Sequence, residues 1–157
     1  MKAIIMIRFV GLFMALFIFS GCSTLLVQPH VSLRYDGLYC GTEKESDKGV
    51  AYWSYLRFYP DGIVIEATTE GTPEEIRAWF SREHPSVSLG KVAIRGSHVS
   101  FSAVSVDGTV DYSGEIEGDQ LKLDSYSHIN QYRQKDVYVF IKWNTEQDVP
   151  PDRLRSR

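Results

Sequence analysis

Apolar residues follow two different patterns along this chain. Residues 9–19 form an unbroken apolar run, whereas beyond residue 35 apolar and polar positions alternate in short stretches. Alternation with period 2 marks half-buried strands, because successive side chains of a strand point to opposite faces. The richest stretch, residues 50–59, puts Tyr52, Leu56 and Phe58 on one face and Trp53, Tyr55 and Tyr59 on the other. Pro60-Asp61-Gly62 then turns the chain, since proline presets φ and glycine supplies positive φ. Residues 63–68 return as the second arm of a hairpin.

Two further hairpins repeat that design. Residues 90–96 lead through a Gly-Ser turn into 98–101, and residues 114–118 lead through a Gly-Asp turn into 120–123. Val110, Tyr112 and Ile116 alternate with Asp111, Ser113, Glu115 and Glu117, which reads as a half-buried strand with a solvated acidic face. Residues 35–41 predict a short first strand between glycines, and residues 137–143 the last one. A helix is expected where Thr72 caps, Pro73 occupies the first helical position and Glu75 completes a capping box. Ile76, Trp79 and Phe80 form its apolar stripe, and Pro85 stops it after about ten residues.

The chain therefore predicts a mostly β domain: about eight antiparallel strands in a meander, with one short helix after the third strand. Eight strands can close into a small barrel, which removes exposed sheet edges. The alternative is an open or sandwiched sheet with the helix across one face.

Lys2 and Arg8 precede the apolar run, and Ser20-Gly21-Cys22 ends it. A basic start, an apolar centre and small residues before a cleavage point are the parts of a secretory signal. The uncharged run covers about 11 residues, where a spanning helix needs about 20, so a retained transmembrane helix is the weaker reading. With the cysteine last, Ile18-Phe19-Ser20-Gly21-Cys22 resembles the lipobox of bacterial lipoproteins. That resemblance implies cleavage before Cys22, lipidation of its sulfur and a membrane anchor. With Ser23 next, it also implies the outer membrane, facing the periplasm, in a Gram-negative organism. The expected organisation is a signal peptide over 1–21, a tether over 22–34, a barrel over 35–143 and a disordered tail over 144–157.

Gly37-Leu38-Tyr39 on the first strand, with Lys142-Trp143 on the last, resembles the lipocalin superfamily. In that pattern a basic last-strand residue packs over an aromatic ring of the first. Here the ring is Tyr39 and the basic partner would be Lys142. The resemblance implies a barrel and carries no activity.

Charge narrows the partners. Removing the leader takes out Lys2, Arg8 and no acid, so the formal charge moves from −3 to −5. An acidic domain argues against nucleic acid, whose binding rests on basic side chains neutralising phosphate. Cys40 is left without an internal partner and reads as a small buried side chain. His30, His84, His98 and His128 show no metal-ligand spacing, and no nucleophile elbow or phosphate loop occurs. Neither an enzyme nor a cofactor is expected.

The remaining lead is aromatic excess. Tyr52, Trp53, Tyr55, Phe58 and Tyr59, with Trp79 on the helix, are the candidate ligand or partner residues. One reading is an envelope lipoprotein holding a small apolar or amphipathic molecule inside its barrel. The other is an interaction or inhibitor module that binds an envelope protein through an outward Trp53-Tyr55-Tyr59 face.

Overall fold

A computed structural model describes residues 32–143. The apolar leader, Cys22, most of the tether and the tail from residue 144 lie outside the described residues. The strands are β1 (Gly37–Cys40), β2 (Lys44–Glu45), β3 (Ala51–Phe58), β4 (Ile63–Thr69), β5 (Ser88–Lys91), β6 (Ala93–Arg95), β7 (His98–Val104), β8 (Thr109–Glu117), β9 (Gln120–Ser127) and β10 (Arg133–Lys142). Helix α1 (Pro73–Ile76) lies between β4 and β5.

Eight of these strands, β1, β3, β4, β5, β7, β8, β9 and β10, close into an antiparallel ring. Closure comes from β1, which pairs with β10 (Tyr39 opposite Phe140) and with β3 (Tyr39 opposite Leu56). The open-sheet alternative is therefore set aside. β2 extends β3, and β6 pairs with β7. The turns sit where glycine was read, with φ +80 at Gly62, +64 at Gly96 and +60 at Gly118. Gly114 serves a different purpose: an added Cβ there would stand 1.9 Å from the Lys122 carbonyl oxygen, so only a bare backbone lets β8 and β9 approach.

Two apolar clusters use the two faces of the wall. The inner cluster packs Tyr39, Leu56, Phe58, Val64, Phe101 and Ile116 at one end of the barrel. Phe58 meets Tyr39 and Phe101 edge-on at 5.6 and 5.7 Å, and Phe101 stacks on Tyr112 at 4.7 Å. Such pairs each add about 0.5–1.5 kcal/mol beyond the area they bury. Leu33 belongs to this cluster at 3 % exposure, so ordered packing starts inside the segment expected to be tether.

The outer cluster places Leu38, Tyr55 and Ile65 of the barrel wall under Ile76, Phe80 and Val87. Helix α1 is shorter than expected, four residues rather than about ten. Its capping box forms as read, with the Glu75 amide donating to Thr72 Oγ1 and the Thr72 amide donating to Glu75 Oε2. After Ile76 the chain tightens, the Trp79 amide donating to the Ile76 carbonyl and the Ser81 amide to the Trp79 carbonyl. Ile76 and Phe80 still reach the wall, but as anchors of an irregular cover.

Candidate functional site

Two long strands, β3 and β10, change character along their inner positions. β3 runs Tyr52, Ser54, Leu56, Phe58, and β10 runs Gln134, Asp136, Tyr138, Phe140; the polar ends meet at one mouth of the barrel. The apolar half fills with side chains. The polar half leaves a cavity of about 900 Å³, open to solvent.

At the base of the cavity lies Glu66, one inward position beyond Val64 on β4. It is 8 % exposed and accepts hydrogen bonds from Thr68 Oγ1 at 3.2 Å and Ser88 Oγ at 3.0 Å. Ser54 and Thr68 share a hydrogen bond at 2.8 Å beside it. Burial pushes the Glu66 carboxyl above its ordinary range, against the opposing pull of Ser88, Thr68 and Lys44. Burial also raises the Tyr112 and Tyr138 phenols, and the Glu66 and Asp136 charges add to this, so both stay protonated hydroxyls facing the cavity.

Higher up, Lys44 of β2 and Asp136 of β10 meet at 2.6 Å. Asp136 also accepts from Gln134 Nε2 at 3.1 Å and from the Thr42 amide at 3.3 Å. Asn130, Tyr132 and Ser127 complete the rim. The arrangement offers hydroxyls, carboxylates and tyrosine rings to a molecule that fits, and among the described residues no cluster suited to a metal ion is present.

The candidate aromatics separate. Tyr52 lines the cavity, while Phe58 lies in the packed floor beneath it. Trp53, Tyr55, Tyr59 and Trp79 belong to the outer cluster. Of the face expected to be an open recognition surface, Tyr55 is covered, and Trp53 and Tyr59 are partly buried against the same cluster. Tyr55 is fully buried, packs edge-on to Phe80 at 6.3 Å and donates its hydroxyl to the Gly71 carbonyl at 2.8 Å. Arg57 holds the cover down, donating to the Phe80 carbonyl at 3.2 Å while lying over the Trp143 ring at 4.6 Å. Aromatics point outward on β3 because they form a second core.

Lys142 does not pack on Tyr39 in the manner the lipocalin resemblance implies. It is exposed and reaches Asp36 at 3.9 Å. The neighbours of Tyr39 are Phe58 and Phe140, with Arg34 stacked on Phe140 at 4.0 Å and the Arg34 amide donating to the Tyr39 hydroxyl at 3.0 Å. Cys40 is half-buried, and burial raises its thiol, which disfavours the nucleophilic thiolate.

One outer-wall arrangement has the order of a catalytic triad. Ser113 Oγ lies 3.2 Å from His98 Nε2, and His98 Nδ1 lies 3.1 Å from Glu115 Oε1. It sits on β7 and β8, strands paired on both sides, where backbone N–H groups are spent on the ladder and do not converge on a reacting oxygen. This is a solvated face with satisfied side chains.

Sequence reasoning missed Glu66, Asp136, Lys44, Tyr112 and Tyr138 as one group. The available signal was an acid at an inward position inside the apolar stretch Ile63-Val64-Ile65-Glu66-Ala67. Among the described residues no helix is long and apolar enough to cross a membrane. Comparison with protein-family models, curated proteins and solved structures gives no match.

Proposed function

We propose that this chain is a lipid-anchored, lipocalin-like binding protein that holds a small amphipathic molecule in the polar half of its barrel at the cell envelope. The observation that carries this reading is the cavity of about 900 Å³ with a buried carboxyl at its base. Cavities of roughly 300–1,000 Å³ suit small-molecule ligands, and a few fixed polar groups orient what enters. The tyrosine rings and Val110 of the lining, beside its hydroxyls and carboxylates, favour an amphipathic ligand over a purely apolar one.

The anchor rests on the lipobox-like segment ending in Cys22. Two or more acyl chains on one cysteine are enough for stable membrane attachment. The unaltered chain should be cleaved before Cys22 and carry acyl mass on it, and Cys22→Ser should abolish both; an unaltered chain that is itself full-length and unacylated in membranes would replace the anchor with a transmembrane helix. For the cavity, native mass spectrometry of the chain as purified from membranes should show a retained small molecule. Its loss on Tyr138→Trp, which fills the cavity, would locate it inside. A preparation always free of ligand would count against the reading.

A further inference from the structure

We propose that the cavity is selective for a cationic amine, whose ammonium group docks against Glu66 beside the tyrosine rings of Tyr112 and Tyr138. The inference rests on the cavity-binding reading and names its ligand class.

The argument begins with the unused capacity of Glu66. A carboxylate offers about four acceptor sites, and Thr68 and Ser88 occupy two of them. Among the described residues no salt bridge reaches Glu66. The cation that acts on it, Lys44, is bonded at 2.6 Å to Asp136. A buried carboxylate is costly unless a charge partner accompanies it, and a hydrophobic residue of similar volume is often the more stable choice. Glu66 nevertheless occupies an inward position, facing space that a ligand can enter.

The surroundings select the sign of that ligand. Lys135, the other basic residue at the cavity, extends away to Asp124 at 3.4 Å, and its side chain is 87 % exposed. With Lys44 committed to Asp136, Glu66 has no cationic partner of its own, so a bound ammonium would supply the partner that its carboxylate lacks, whereas an anionic ligand would bring a like charge beside Glu66 and Asp136. Tyrosine faces attract cations through the ring quadrupole, and Tyr52, Tyr112 and Tyr138 all border the cavity. An ammonium supplies both the missing charge and the hydrogen-bond donors.

Three soluble probes of matched shape test this on the full-length chain by calorimetry at neutral pH: phenethylammonium, 2-phenylethanol and 3-phenylpropanoate. The expected result is binding of phenethylammonium about tenfold or more tighter than 2-phenylethanol, the scale of one charge-assisted contact, with 3-phenylpropanoate weakest. Glu66→Gln should abolish the preference while leaving 2-phenylethanol within about twofold of its original affinity. Equal or better binding of the alcohol or carboxylate would overturn amine selectivity and leave the cavity reading standing. So would a preference that survives Glu66→Gln. If none of the three binds, the amine inference falls, and the native mass spectrum then decides whether the cavity reading falls with it. Should Glu66→Gln not fold, the ranking of the three probes on the unaltered chain decides the matter alone.

Discussion

Lys44 and Asp136 are joined at 2.6 Å across the mouth of the barrel although 92 residues separate them in the chain. The pair ties the short strand β2, which has no partner other than β3, to the far end of β10. Asp136 is the hub of this contact, because its carboxylate also accepts from the Gln134 side-chain amide and from the backbone amides of Thr42 and Val137.

Removing one side of this pair strands the other. The Asp136 side chain is 6 % exposed, so Asp136→Ala leaves several donors and a lysine without an acceptor. The expected loss is about 3 kcal/mol or more in urea unfolding, as for other broken buried pairs. Replacing both partners, Lys44→Met with Asp136→Leu, should recover much of that loss. A single variant as stable as the parent would show that the pair does not hold the mouth.

Glu66 should give stability an unusual pH dependence. Burial raises its carboxyl above the ordinary 4.5, and the groups around it are Lys44 from β2, Ser54 from β3, Thr68 on its own strand, Ser88 from β5, Tyr112 from β8, and Asp136 and Tyr138 from β10. An acid raised in the folded state holds its proton more tightly there than when unfolded. Its contribution is therefore fully present below the unfolded value and is lost as pH rises through the folded one. Asp36, Asp61, Glu75 and Asp111 are shifted downward by their partners and act in the opposite sense, so the comparison is between the parent and Glu66→Gln. The variant should gain stability relative to the parent as pH rises from 4 to 8. A gap independent of pH would mean that Glu66 does not titrate as its burial dictates.

The outer cover should be separable from the cavity. Phe80→Ala empties the cluster over Tyr55 and should cost about 3–5 kcal/mol, because the lost ring leaves a hole that the wall cannot close. Phe80 lies outside the barrel, so any ligand affinity of the folded variant should be unchanged. Thermal unfolding and probe titration on the same sample check both halves.

Two glycines should respond differently to alanine. Gly114→Ala sets a Cβ against the Lys122 carbonyl oxygen and should prevent β8 and β9 from keeping their register, read as loss of the folded NMR spectrum. Gly62→Ala meets no atom and should cost only the strain of positive φ, about 1–2 kcal/mol, with Gly62→Asn milder.

Much of the architecture was legible locally. The turns at Pro60-Asp61-Gly62, Gly96 and Gly118 and the capping box at Thr72 are each set by neighbours a few residues apart and stand at the expected positions, whereas the single arm expected over residues 90–96 is split between β5 and β6. The helix was overextended because its stripe of Ile76, Trp79 and Phe80 also suits a tightened turn held by tertiary contacts. Tyr52 alone among the candidate aromatics lines the cavity, and Leu33 was misplaced because one packed residue leaves no periodic signal.

Alternation by itself determined which side chains share a face: Tyr52 with Leu56 and Phe58, Trp53 with Tyr55 and Tyr59. Which face turned inward was decided only by closure of the ring and by docking of residues 76–87 on the outside, since both faces carry enough aromatic surface to form a core. The meeting of Lys44, Glu66 and Asp136 is likewise a product of closure. Their strands are distant in sequence, and pairing of β1 with both β3 and β10 is what brings those charges to one mouth.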